Sequence, residues 1–126
     1  MKRLPDTELE VMKALWALGG RAAARSELET ALDGKGWAAN TVNTYLTRLA
    51  EKGFVSCAKQ GRSNYYTPLI SQADYLAFES RATLDRLFGS SLKGFVAALA
   101  GSGRLKGSEL EELQDYLEEL KARGEG

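Results

Sequence analysis

Between residues 40 and 53 the chain reads NTVNTYLTRLAEKG, and five short hydrogen-bonding side chains, Asn40, Thr41, Asn43, Thr44 and Thr47, crowd its first half. These are mediocre helix formers. Val42, Tyr45, Leu46 and Leu49 nevertheless recur at the spacing of an amphipathic helix. At roughly 100° per residue, the apolar four fall on one arc. Asn40, Thr41, Thr44, Thr47, Arg48 and Glu51 fall on the opposite arc, with Asn43 at the border. Amides and hydroxyls on short stems approach base edges and phosphates closely, where long flexible chains would have to be ordered. Asn can bond adenine at two points, and the Thr methyl can meet the thymine methyl. A plain solvent face is the bland reading of any single Thr. Five such residues beside Arg48, followed by a basic hairpin, favour nucleic-acid recognition.

Other chemistry lacks its parts. The chain has no His and a single Cys, Cys57, so disulfide frameworks, Cys/His zinc sites and His-based acid–base catalysis are excluded. No carboxylate pair stands out from a solvated helix face, and no cofactor or metal motif is present. The expectation is a protein that is not an enzyme and needs no cofactor. Cys57, on a short strand, reads as a small, partly buried hydrophobe; a redox role beside Lys59 and Arg62 is the lesser reading.

Net charge is zero, but it is unevenly placed. Residues 1–70 hold ten Lys/Arg against seven Asp/Glu, and residues 71–126 hold seven against ten. Between 35 and 70, Lys35, Arg48, Lys52, Lys59 and Arg62 face Glu51 alone. A basic segment beside an acidic one predicts a binding module joined to one with a different task.

The elements that must position this face are readable. Thr7 with Glu10 has capping-box spacing, although Asp6 could cap instead. Leu9, Met12, Leu15 and Trp16 then mark a first helix, stopped at Gly19-Gly20. A second short helix runs from about Ala24 to Leu32, with Leu28 and Leu32 inward, and Trp37 anchors the core before the third. Gly53 closes the third helix. FVSCAK, QGRS and NYYTPL read as strand, tight turn and strand, ended by Pro68. Three helices and a hairpin in 70 residues predict a winged helix-turn-helix, mainly α with a small β-hairpin wing.

Residues 71–126 differ. Tyr75, Leu76, Phe78, Leu84, Leu87 and Phe88 spread around a long helix from about Ser71. GSS breaks it, and Leu92, Phe95, Val96 and Leu99 follow at i, i+3, i+4, i+7. After the loop GSGRLKG, Ser108 and Glu111 suggest a second capping box, and Leu110, Leu113, Leu117 and Leu120 form a narrow stripe beside Tyr116. Three such helices make a poor core alone. They either fold back on the first 70 residues or pair with a second chain, and their acidity favours pairing.

LPDTELEVMKALW, TVNTYLTRLAEKGFV, GRSNYYTPL and GSELEELQDYLEEL together resemble the penicillinase-repressor family, over nearly the whole chain. The resemblance implies a winged-helix transcriptional repressor, a homodimer joined through its C-terminal helices, on a two-fold symmetric operator in double-stranded DNA. Residues 1–70 would be the DNA-binding domain and 71–126 the helical dimerisation domain. Matched position by position, Asn40, Thr41, Asn43 and Thr44 would meet the major groove. Thr47 and Arg48 would lie at the backbone and Arg62 on the wing. Leu92, Phe95, Val96, Leu99, Leu113 and Leu117 would form the dimer interface. Asn40 and Asn43 depart from the basic residues often found at those places. Family members that respond to β-lactams are cut at an Asn-Phe bond, where this chain has Ala98-Leu99. The paired Cys motifs of copper-responsive members are absent. An inducer or regulatory protease therefore stays unassigned.

No apolar run approaches the roughly 18 residues of a membrane span, and MKRLPDTELE has no apolar stretch after its basic tip. The expectation is a cytoplasmic protein without a membrane partner. The runner-up is a winged-helix protein–protein interaction module without DNA binding. The polar, non-aromatic face of the third helix disfavours it, because protein-binding cores favour Tyr, Trp and Met.

Overall fold

The computed structural model describes residues 1–38 and 40–124; the last two residues of the expected dimerisation domain lie outside them. The chain runs α1 (Asp6–Ala17), β1 (Ala23–Ala24), α2 (Arg25–Ala31), a 3-10 turn (Asp33–Lys35), α3 (Thr41–Glu51), β2 (Val55–Gln60), β3 (Ser63–Pro68), α4 (Gln72–Phe88), α5 (Leu92–Gly101) and α6 (Gly107–Ala122). This is the expected class, mostly helical with a small antiparallel sheet and a wing. Two units divide it, Met1–Ser80 and Arg81–Gly126.

The core of the first unit is built by α1, α2 and α3 with the base of the sheet. Val11, Met12 and Leu15 of α1 are fully enclosed with Leu28, Leu46 and Leu49. Trp16 and Leu9 only flank this group, so the inward stripe of α1 is turned by one residue from the expected one. Its fourth member is Glu8, buried to 2% exposure. Neither Thr7 nor Asp6 caps α1. Pro5 occupies the cap in extended geometry, and its carbonyl accepts from the Leu9 amide at 2.9 Å. Asp6 and Glu8 place negative charge in the first turn, where the helix dipole favours it.

The sheet has three strands in the order β1-β3-β2, not the two of the expected hairpin. Ala23 and Ala24 pair with Tyr66 and Tyr65. The β2–β3 hairpin closes through Gly61-Arg62, with Gln60 opposite Ser63, and Gly61 takes φ +63°, which a side chain would strain. Pairing ends at Val55 opposite Pro68, as expected. Only Val55 of β2 is buried. Cys57 is therefore exposed, not partly buried: β2 is an outer strand, exposed beyond Val55, while Tyr66 opposite Cys57 on β3 belongs to the core.

Tyr75 of α4 belongs to the first core: it is fully buried, and its hydroxyl accepts from the Leu4 amide at 2.7 Å. Phe78 packs against the same core. This is why the first unit ends after Ser80, later than the expected boundary at residue 70.

In the second unit Ser91 caps α5, its Oγ accepting from the Gly94 amide at 2.9 Å. Phe88 and Phe95 meet edge-to-face at 5.3 Å. The expected Ser108 capping box does not form. The helix starts two residues earlier, at Gly107, because the Glu109 carboxylate reaches back to the Lys106 amide at 2.9 Å. Leu84 is buried, while Leu87, Leu92, Phe95, Leu110, Tyr116 and Leu117 are exposed. No described helix is long and apolar enough to cross a membrane.

Candidate nucleic-acid interface

The apolar arc of α3 fixes which way its polar arc points. Val42, Leu46 and Leu49 are buried, so Asn40, Thr44, Thr47, Arg48 and Glu51 are exposed. Thr41 and Asn43 sit on the two flanks, each half-buried, so the outermost stripe is narrower than expected. Tyr45 is half-buried against Trp37, edge-to-face at 5.2 Å. Arg48 lies over the Tyr45 ring, 5.9 Å from its centroid. That contact holds the guanidinium at the edge of the helix, with its donors still in solvent.

The short polar groups are not equivalent. Asn40 occupies the helix cap, but its side chain accepts no capping bond. Its backbone carbonyl instead receives both the amide and the Oγ1 of Thr44, each at 3.1 Å. Thr47 Oγ1 donates to the Asn43 carbonyl at 2.9 Å.

The cations also sort themselves. Lys35 pairs with Glu10 at 3.1 Å and Lys52 with Glu8 at 2.5 Å. Lys35 holds the Glu10 carboxyl below its ordinary range. Arg48, Lys59 and Arg62 form no ion pair among the described residues. Three of the five expected basic residues thus keep their charge free for a partner.

Arg62 does not stand alone at the turn of the wing. With Ser63 and Asn64 it lines a polar cleft of about 230 Å³, closed on the other side by Ala24, Arg25, Ser26 and Glu29. The β1–β3 pairing brings the start of α2 to the wing and creates this cleft. Arg25, Ser63 and Asn64 were not among the expected site residues. A two-residue strand has no periodicity to betray it, so the sequence held no signal for Arg25; Ser63 and Asn64 lie in the turn and strand already read as the wing.

Two arginines frame that cleft, and the Arg25 guanidinium is held by Glu29 at 3.3 Å. Just before it, Glu27 accepts from Arg21 and from the Ala24 amide, the latter at 3.1 Å. Arg21, and then the Ala24 amide, hold the Glu27 carboxyl down at about 2. No group of three or more His, Cys, Asp or Glu side chains among the described residues could hold a metal ion.

The chain is similar to known proteins. The penicillinase repressor of Bacillus licheniformis is 34% identical, over 98% of each chain. The methicillin resistance regulatory protein MecI of Staphylococcus aureus is 26% identical, over 90% of this chain and 92% of its own. The solution structure of the DNA binding domain of the repressor BlaI matches with a TM-score of 0.51 and 37% identity, covering 60% of this chain and 94% of that one. The family model described as penicillinase repressor matches residues 4–119. With that match running from the buried Leu4 into α6, the chain belongs to the penicillinase repressor family.

Proposed function

We propose that this chain is a dimeric transcriptional repressor, binding a two-fold symmetric operator in double-stranded DNA with α3 in the major groove and the wing against the backbone. One observation carries the reading: the exposed stripe of α3 holds amides, hydroxyls and an unpaired arginine over a fully packed core. The Bacillus licheniformis relative is named a penicillinase repressor, and the matched solution structure is the DNA binding domain of a repressor. Asn40, Thr41, Asn43 and Thr44 face the bases in this reading. Thr47 and Arg48 lie toward the backbone, as does Arg62, with Arg25 across the cleft. Arg25 is paired with Glu29, which lines the same cleft, so the unpaired Arg62 is the group there that suits a phosphate.

Residues 1–80 are the DNA-binding unit of this proposal and 81–126 the dimerisation unit. Leu92, Phe95 and Leu117 are exposed there, and Val96, Leu99 and Leu113 half-exposed. A second copy of the same face would remove that apolar surface from water. The protein would act in the cytoplasm, and its release would fall to an inducer or a regulatory protease.

Selection from a pool of random duplexes tests the proposal. Enriched duplexes should carry an inverted repeat whose half-sites lie about one helical turn apart, or a multiple of it, with two chains bound per duplex. Enrichment of no sequence would contradict it.

A further inference from the structure

We infer that Thr44 and Thr47 meet DNA as methyl groups rather than as hydroxyl donors, and that Thr44 selects thymine. This rests on the repressor reading above. Each threonine has turned its hydroxyl back onto its own helix, Thr44 onto the Asn40 carbonyl at 3.1 Å and Thr47 onto the Asn43 carbonyl at 2.9 Å. A hydroxyl carries one hydrogen, and in both residues it is spent. Neither side chain can then donate to a phosphate oxygen, to guanine N7 or O6, or to thymine O4, which only accept.

The two threonines are nonetheless exposed and nearly one turn apart on the outermost stripe of α3. With the oxygen drawn in against the backbone, the methyl is the heavy atom left to face outward. Its partner in the major groove is the C5-methyl of thymine, an apolar group that no other base carries. Asn40 is the opposite case. Its amide makes no cap bond and is exposed, so donor and acceptor are both free, the pair adenine requires. The helix therefore divides its reading, polar at Asn40 and apolar one turn later at Thr44. Thr47, toward the backbone, has its methyl to set against a sugar.

The test uses the full-length protein and duplexes it selects from a random pool. Each thymine of the selected site is replaced in turn by deoxyuridine, which removes only the methyl group. Thr44→Val keeps the methyl and loses the hydroxyl; Thr44→Ser does the reverse. Circular dichroism establishes that both variants fold. Thr44→Val should bind like the wild type, whereas Thr44→Ser should weaken binding about fourfold per half-site, the worth of burying one methyl group. One thymine per half-site should show the same loss as deoxyuridine with the wild type, and no loss with Thr44→Ser. Thr44→Val as weak as Thr44→Ser, with deoxyuridine silent throughout, would mean that the hydroxyl oxygen makes the contact, and would overturn the inference. A pool that yields no preferred duplex would instead overturn the repressor reading, and this inference with it.

Discussion

The Glu8 carboxylate, enclosed to 2% exposure on α1, accepts from Lys52 Nζ at 2.5 Å, immediately after the last residue of α3. The pair ties the end of α3 to the helix beneath it and sets a positive charge where the helix dipole is negative. Its two members are unequal in one respect: Lys52 remains about one-third exposed, and Glu8 cannot reach water.

Lys52→Met should leave that carboxylate buried without a partner. Breaking a fully buried pair costs about 3–5 kcal/mol; with Lys52 part-solvated, about 1–3 kcal/mol is expected in urea unfolding. Adding Glu8→Gln to Lys52→Met should recover much of the loss, because no buried charge is then stranded. Strictly additive losses would mean that the pair is not coupled.

Arg48→Ala and Arg62→Ala should weaken binding to every duplex alike. Each should reduce the salt slope by about one, the mark of a lost phosphate contact. If either changes which bases are preferred, that arginine reads sequence and its assignment to the backbone is wrong.

The start of α2 should loosen in acid. Glu27 is held at about 2, against an ordinary value of 4.5, by Arg21 and the Ala24 amide. A lowered carboxyl contributes stability above its unfolded value and loses it as pH falls through the folded one. The Ala24 amide resonance should therefore titrate with a midpoint near 2, and Glu27→Gln should abolish that transition. A midpoint near 4.5 would show that the carboxylate is not held in solution.

Leu92 and Leu117 are 66% and 46% exposed in the second unit. Replacing both with Asp removes apolar surface worth about 1.5–3 kcal/mol per side chain if a partner covers it. Sedimentation equilibrium should then show a monomer, while circular dichroism stays helical, because neither residue is enclosed within its own chain. A variant that remains dimeric would place the interface elsewhere.

The arrangement of α3 was legible because four apolar residues recur on one arc and Gly53 stops them. That of α1 was misread by one residue. Glu8, Val11, Met12 and Leu15 have the spacing of an inward stripe, but a charged first member hides it until Lys52 is seen to satisfy the charge. The caps of α1 and α6 were missed for a related reason. Backbone geometry at Pro5 and a returning Glu109 carboxylate outcompeted the nearby Thr and Ser. Strand β1, and with it Arg25 beside the wing, depends on pairing with β3, distant in sequence, which no local pattern encodes. The spent hydroxyls of Thr44 and Thr47 follow from side-chain rotation, which residue type alone leaves open.

The salt dependence of affinity tests the central claim most directly. Binding of the full-length protein to its selected duplex, followed between about 50 and 200 mM salt, should weaken by orders of magnitude, with log affinity falling linearly in log salt, as release of several phosphate counterions requires. An affinity that stays flat across that range would contradict DNA binding through α3 and the wing.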